Sequence, residues 1–250
     1  MRAEMLRRLH ASHSGIEKTR KLARNFIYWP GLNSQISDMI LKCGICNEHK
    51  NSKQKEPLMP TEVPELPWHT VGTDLFHWNK SDYLIVVDYL SRYFEVAKLD
   101  YISAKSVITH MKSIFARHGV PSVVRSDYGS QYTSAEFKEF SKSWGFDHVT
   151  SSPYHQQSNG LAEKYVGIVK SLLNKSLADG KDPYIALLDY RNTPINDVNS
   201  PSQILMSRKL RTNIPATKNQ LKPKCADLKT TRSNMTNNRN KQKYYYDRNA

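Results

Sequence analysis

The chain has 250 residues, 38% of them hydrophobic, and a formal net charge of +14. That length exceeds one average domain and suits a core domain joined to a smaller module. No apolar run approaches the ~18 residues that span a bilayer, and no signal-peptide-like apolar stretch follows Met1, so the sequence reads as a soluble, intracellular protein. The three cysteines, Cys43, Cys46 and Cys225, include one close pair, which argues against a disulfide framework and for a metal site, with Cys225 a free thiol.

The charge is unevenly spread. Residues 1–60 hold 11 Lys/Arg against 5 Asp/Glu, residues 61–205 hold 14 against 16, and residues 206–250 hold 12 against 2. A near-neutral middle between two basic flanks predicts a catalytic core flanked by parts that neutralise phosphates. Nucleic acid is the expected partner.

Residues 1–50 read as a small helical module. Helices are expected over 16–23 and 33–42, broken by Trp29-Pro30-Gly31, with Asn33 or Ser34 capping the second. His10-Ala11-Ser12-His13 is followed after 29 residues by Cys43-Gly44-Ile45-Cys46. Two imidazoles and two thiolates suit the tetrahedral preference of Zn²⁺, so His10, His13, Cys43 and Cys46 are the expected zinc ligands. Gly44 is expected to help the C-x-x-C turn bend. A unit this small with few large apolar side chains gains folding energy from a metal staple.

Segment 51–67, with four prolines and little periodicity, reads as a linker. A core domain follows over 68–205. Strands are expected over 70–76, 83–88, 95–99, 122–126 and 147–150, and helices over 103–118, 134–144, 158–178 and 184–190. Tyr83 to Val87 is apolar throughout, as in a strand buried on both faces. This order predicts an α/β sandwich around a mixed five-stranded sheet. Residues 206–250 form a basic extension, in which 230–250 reads equally as a surface helix or a disordered tail.

Three acids stand out by position. Asp74 lies within the first strand of the core, Asp127 just past the fourth, and Glu163 in the first turns of the long helix; Asp88 is a rival strand-end candidate. Strand ends and helix starts are where α/β sheets build their sites. Clustered carboxylates repel unless a cation lies among them, and hard oxygen ligands select Mg²⁺ or Mn²⁺. Two such ions serve phosphoryl transfer. Glu163, Gly167, Lys170 and Asn174 share one helix face, which offers a carboxylate for metal and a lysine for phosphate. The loop before the helix, with Tyr154, Gln157 and Asn159, suits a DNA end, and Lys164 is a further DNA-binding candidate.

At these residues the chain resembles retroviral and long-terminal-repeat retrotransposon integrases, of the gypsy type in particular. Leu9 to Gly15, Lys18-Thr19, Tyr28 to Gly31 and Cys43 to Cys46 are similar to the family's H-H-C-C zinc module. Asp74, Asp127 and Glu163 are similar to its D,D,E triad, with 35 residues between the last two. The resemblance implies a ribonuclease-H-like core and a two-Mg²⁺ site in which Asp74 bridges the metals. It implies trimming of element DNA 3′ ends and their joining to target DNA, multimers on DNA, and action in the nucleus. Three departures stand out. Tyr128 replaces a usual Asn, Gln156 stands where Pro is common, and the sequence stops where the family continues into a small C-terminal barrel or chromodomain. They leave a second reading, a host-captured or degenerate integrase that binds DNA without catalysis.

Overall fold

The computed structural model describes residues 1–48, 62–150, 159–195 and 199–248. They fall into two compact units, one on either side of residues 49–61. No described helix is long and apolar enough to cross a membrane.

The first unit holds α1 (Arg2–Leu9), α2 (Ile16–Arg24), α3 (Leu32–Leu41) and α4 (Gly44–Glu48). Its core is small: Ala23, Leu32, Ile36 and Ile40 are buried, with Leu6, Leu9, Ile16, Ile27 and Trp29 packed around them. Periodicity anticipated α2 and α3 but not α1 or the single turn of α4. The expected cap of the third helix is corrected: Gly31, at φ 83°, caps α3, and Asn33 lies inside it. Only glycine takes that left-handed conformation without strain. Gly44 opens α4 and needs no positive φ, so its expected role in bending the chain is not used.

The second unit is built on β1 (Thr70–Trp78), β2 (Ser81–Asp88), β3 (Phe94–Leu99), β4 (Val123–Ser126) and β5 (Asp147–Thr150), in the sheet order β3-β2-β1-β4-β5. β1, β2 and β3 form an antiparallel meander, while β4 and β5 add in parallel. The helices are α5 (Ala104–His118), α6 (Ser130–Thr133), α7 (Ala135–Trp144), α8 (Gly160–Ala178), α9 (Pro183–Asn192), α10 (Pro201–Met206), α11 (Lys218–Leu221) and α12 (Leu228–Arg248). The expected mixed five-stranded sheet flanked by helices is the one found.

Strand alternation sorts the core onto two faces. Val71, Leu84, Val86 and Val124 pack with α5 and α7 through Val107, Met111, Phe115 and Phe137. Phe76, Ile85, Val87 and Phe94 pack with α8 and α9 through Tyr165, Val169, Leu173 and Leu187. The unbroken apolar run of β2 follows from burial on both faces. The capping serines Ser103 and Ser134 accept from Ser106 N and Phe137 N, which fixes where α5 and α7 start. Gly119 and Gly145, both at positive φ, end them.

The second half of the basic extension is a helix, α12, which settles the expectation left open for residues 230–248. Thr231 and Met235 of α12 are buried, and Met235 packs with Val63, Leu90 and Ile204. Cys225 is an exposed free thiol.

One part-buried ionic cluster ties β3 to α5 and α9. Glu95 meets His118 at 2.7 Å and Arg191 at 3.2 Å, with Arg117 at 3.8 Å. Burial pushes the Glu95 carboxyl up, but the His118 hydrogen bond and the two guanidiniums outweigh it and hold it below its ordinary value. A carboxyl depressed in the folded state lends stability that is present above its unfolded pKa of ~4.3 and is lost as pH falls through the lower folded value. Glu95→Gln is therefore expected to cost about 2–3 kcal/mol at neutral pH, less than the ~3–5 of a fully buried pair because the partners still touch solvent. Urea titration at pH 7 and pH 3 checks this: the wild-type advantage should shrink at the lower pH, and an equal gap at both refutes the assignment.

Candidate active site and metal centre

The register of β1 against β4 sets the site. Thr70, Val71 and Gly72 pair with Val123, Val124 and Arg125. Continued two residues, the same register puts Asp74 level with Asp127 on the sheet face that carries Gly72 and Phe76. α8 covers that face. Gly72 lies under it and leaves room for the Tyr89 ring: an added Cβ would lie a tight 3.1 Å from Tyr89 Cε2 and in ordinary contact, 3.5 Å, with Ala162 Cβ. Asn159 pins the start of α8 by donating from its side-chain nitrogen to the Thr73 carbonyl at 3.2 Å.

The Asp74 carboxyl is raised to about 6, first by burial and then by the charges of Asp127 and Glu163, against the Leu75 N–H and the Lys170 ammonium. Asp74 accepts that N–H at 2.8 Å, and Asp127 accepts Gly129 N–H at 3.1 Å. The three acids thus share one field, and a cation among them would relieve the repulsion. Tyr132, buried beneath, bonds Thr73 Oγ1 at 2.9 Å and is itself raised by burial and by the two aspartates.

The polar stripe of α8 runs along β1. Glu163 acts on Asp74, Lys170 lies over the Phe76 ring at 5.8 Å, and Asn174 accepts from Trp78 Nε1 at 2.7 Å. Lys164 is exposed and Lys170 half-buried. Asn159, expected at the DNA, is 1% exposed, so its amide holds α8 to β1 instead. Tyr154, Gln157 and Gln156 lie outside the described residues. Asp88, the rival acid, is fully buried. It accepts backbone N–H bonds from Trp68, Leu90 and Ser91, so it shapes the turn after β2. Tyr128, beside Asp127, is exposed.

In the first unit His10, His13, Cys43 and Cys46 bring one ligand atom each to within 4.8 Å of one another. His10 Nε2 lies 3.4 Å from Cys46 Sγ, and His13 Nδ1 lies 3.5 Å from both sulfurs. Zinc with Zn–S of ~2.3 Å and Zn–N of ~2.0 Å in a tetrahedron sets S and N about 3.5 Å apart, so the donors fit the ion. Burial and then the neighbouring His13 lower His10, which favours the neutral imidazole a metal needs. The geometry follows from α1 ending at His10 and from His13 N–H bonding the His10 carbonyl at 2.9 Å. Thr19, buried on α2, ties down the loop between by donating to the Ser14 carbonyl at 3.0 Å.

Comparison with known proteins places both units in known domain families. Residues 66–156 match the integrase core domain family and residues 1–52 the integrase zinc binding domain family. Over 217 residues the chain is 36% identical to an uncharacterized protein of Caenorhabditis elegans, covering 84% of this chain and 17% of that protein. It is 31% identical over 192 residues to the Gag-Pol polyprotein of walleye dermal sarcoma virus, covering 72% of this chain and 11% of the polyprotein. A chain of the simian T-cell lymphotropic virus intasome in complex with PP2A regulatory subunit B56 gamma shares the fold, with TM-score 0.58 and 22% identity over 85% of this chain and 78% of that one. The chain belongs to the integrase family found in retroviral and retrotransposon polyproteins, with an integrase zinc-binding module ahead of a ribonuclease-H-like core. It spans less than a fifth of the length of the curated relatives it matches.

Stripping zinc with a strong chelator is expected to erase hydrogen-exchange protection in α1–α4 while leaving β1–β5 protected. A structural zinc carries on the order of 10 kcal/mol of folding energy, more than four buried side chains supply. Unchanged protection in α1–α4 refutes a structural metal.

Proposed function

We propose that this chain is a DNA-joining integrase, a polynucleotidyl transferase in which Asp74, Asp127 and Glu163 hold the catalytic metal. The supporting observation is that the charges of Asp127, just past β4, and of Glu163, on α8, both act on the part-buried Asp74 of β1, the strand that pairs in parallel with β4. Mg²⁺ or Mn²⁺ fits these hard oxygen donors, and such an ion activates a nucleophilic oxygen and stabilises the leaving one. Asp74, Asp127 and Glu163 would hold one or two such ions, which would supply the activated attacking oxygen and the stabilised leaving oxygen. The reactions are removal of nucleotides from the 3′ ends of element DNA and attack of the new 3′ hydroxyls on target DNA. Both are in-line displacements at phosphorus without a covalent enzyme intermediate.

Lys170, next to Asp74, and the exposed Lys164 contact DNA phosphates, and Tyr154 and Gln157 meet the DNA end. His10, His13, Cys43 and Cys46 hold Zn²⁺ in a module over 1–50, joined by 51–67 to a catalytic core over 68–205, with 206–250 adding basic charge. The active form is a homo-oligomer on DNA, and it works in the nucleus, where target DNA resides.

Tyr128 supports a second reading, a captured or decayed integrase that binds DNA without joining it. An exposed aromatic stands beside Asp127 where the family carries Asn. A strand-transfer assay with Mn²⁺ and a labelled duplex separates the two. On the first reading the wild type joins ends, and Glu163→Gln lowers joining by at least ~10³-fold, the scale of losing a principal group that stabilises the transition state. Joining that survives Glu163→Gln refutes the role given to Glu163. Joining that appears only in Tyr128→Asn selects the second reading.

A further inference from the structure

Three arginines from distant parts of the chain converge beneath the carboxylates. Arg92 follows β2, Arg125 lies on β4, and Arg239 comes from α12. All three act on Tyr89, and the Arg125 guanidinium stands 5.9 Å from the centre of that ring. Tyr89 in turn lies against Gly72, so the cluster occupies the same sheet face as Asp74 and Asp127. Arg125 pairs with Gly72, two residues before the level of the two aspartates, a separation of roughly 7 Å along the strand.

The cluster is not balanced by acids of its own turn. Asp88 commits its oxygens to three backbone N–H groups. Arg92 Nη1 and Arg125 Nε are buried donors with no acceptor. Arg239 is pushed down to about 10, by burial first and then by Arg92 beside it. Guanidiniums this close repel, and the unpartnered N–H groups of Arg92 and Arg125 call for an anion that takes several planar donors at once. A phosphate group does so, because its oxygens accept from forked donors on more than one side.

We propose that Arg92, Arg125 and Arg239 form a phosphate-binding subsite that holds a backbone phosphodiester of DNA running off the carboxylate site. The inference rests on the DNA reading above and adds to it a role for α12: the basic extension completes a DNA-binding surface of the core. The position one pleat repeat from Asp127 places this phosphate beside the reacting one without making the arginines catalytic.

The experiment uses the full chain. Affinity for a labelled duplex is measured by fluorescence anisotropy over a range of salt, and melting is followed in phosphate and in chloride at equal ionic strength. Losing one phosphate contact lowers the slope of log K against log salt by about 1. The double variant Arg92→Gln/Arg125→Gln is expected to show that loss and to lose the extra stability that phosphate gives the wild type, while Arg92→Lys/Arg125→Lys keeps most of the slope. An unchanged slope in the Gln variant overturns the proposal. Phosphate protection that is lost in the Gln variant while its slope stays unchanged means the site takes free phosphate, which overturns the DNA contact. Should the double variant fail to fold, Arg239→Gln on the half-exposed face of α12 decides by the same slope criterion. Failure of the wild type to join DNA ends, with the slope change present, overturns the proposed reaction and leaves the subsite standing.

Discussion

The seat of α8 on β1 is the contact on which the rest of the core depends. β1 is the sheet's central strand, and every later assignment runs through it. The bare Cα of Gly72 leaves room for the Tyr89 ring, and Asn159 fixes the helix start to the Thr73 carbonyl. With that contact made, the polar stripe of α8 tracks the even positions of β1. Glu163 faces Asp74, Lys170 covers Phe76, and Asn174 holds Trp78. A larger residue at 72 would crowd the Tyr89 ring without touching an acid.

Charge is arranged on this face in two opposed patches. Burial and then the charges of Asp127 and Glu163 raise Asp74 at one level, and burial and then Arg92 lower Arg239 in the other patch. Each patch is unfavourable alone, since like charges repel most where water is partly excluded. An acidic patch is complementary to a cation and a basic one to an anion. The part-buried Glu95 cluster shows the contrasting case, where opposite charges satisfy one another and serve stability only.

The zinc module reaches stability by different means. Its buried apolar set is four side chains, too few to order four short helices in water. His10, His13, Cys43 and Cys46 bring the end of α1 and the start of α4 together across the sequence, with ligand atoms within 4.8 Å of one another. Burial of Thr19 explains a polar residue inside α2 that periodicity alone would leave on the surface.

Sequence alone determined the sheet's composition, the principal helices of the core, the H-x-x-H and C-x-x-C cluster and the family, because each rests on local periodicity or fixed spacing. The apolar run of β2, the serine caps of α5 and α7, and the H-x-x-H with C-x-x-C pattern are local signals of that kind. Tertiary structure decided what depends on distant partners. Asn159 looked like a DNA contact because polar loops often are, yet its amide is buried against β1. Asp88 looked like a rival catalytic acid, yet three N–H groups from one turn and from Trp68 claim it. The α12 segment gave no clear amphipathic pattern, and only burial of Thr231 and Met235 in the core made it a docked helix. The arginine cluster had no trace in the sequence at all, because Arg92, Arg125 and Arg239 lie on three separate elements and meet only when β4 pairs with β1 and α12 packs beside them.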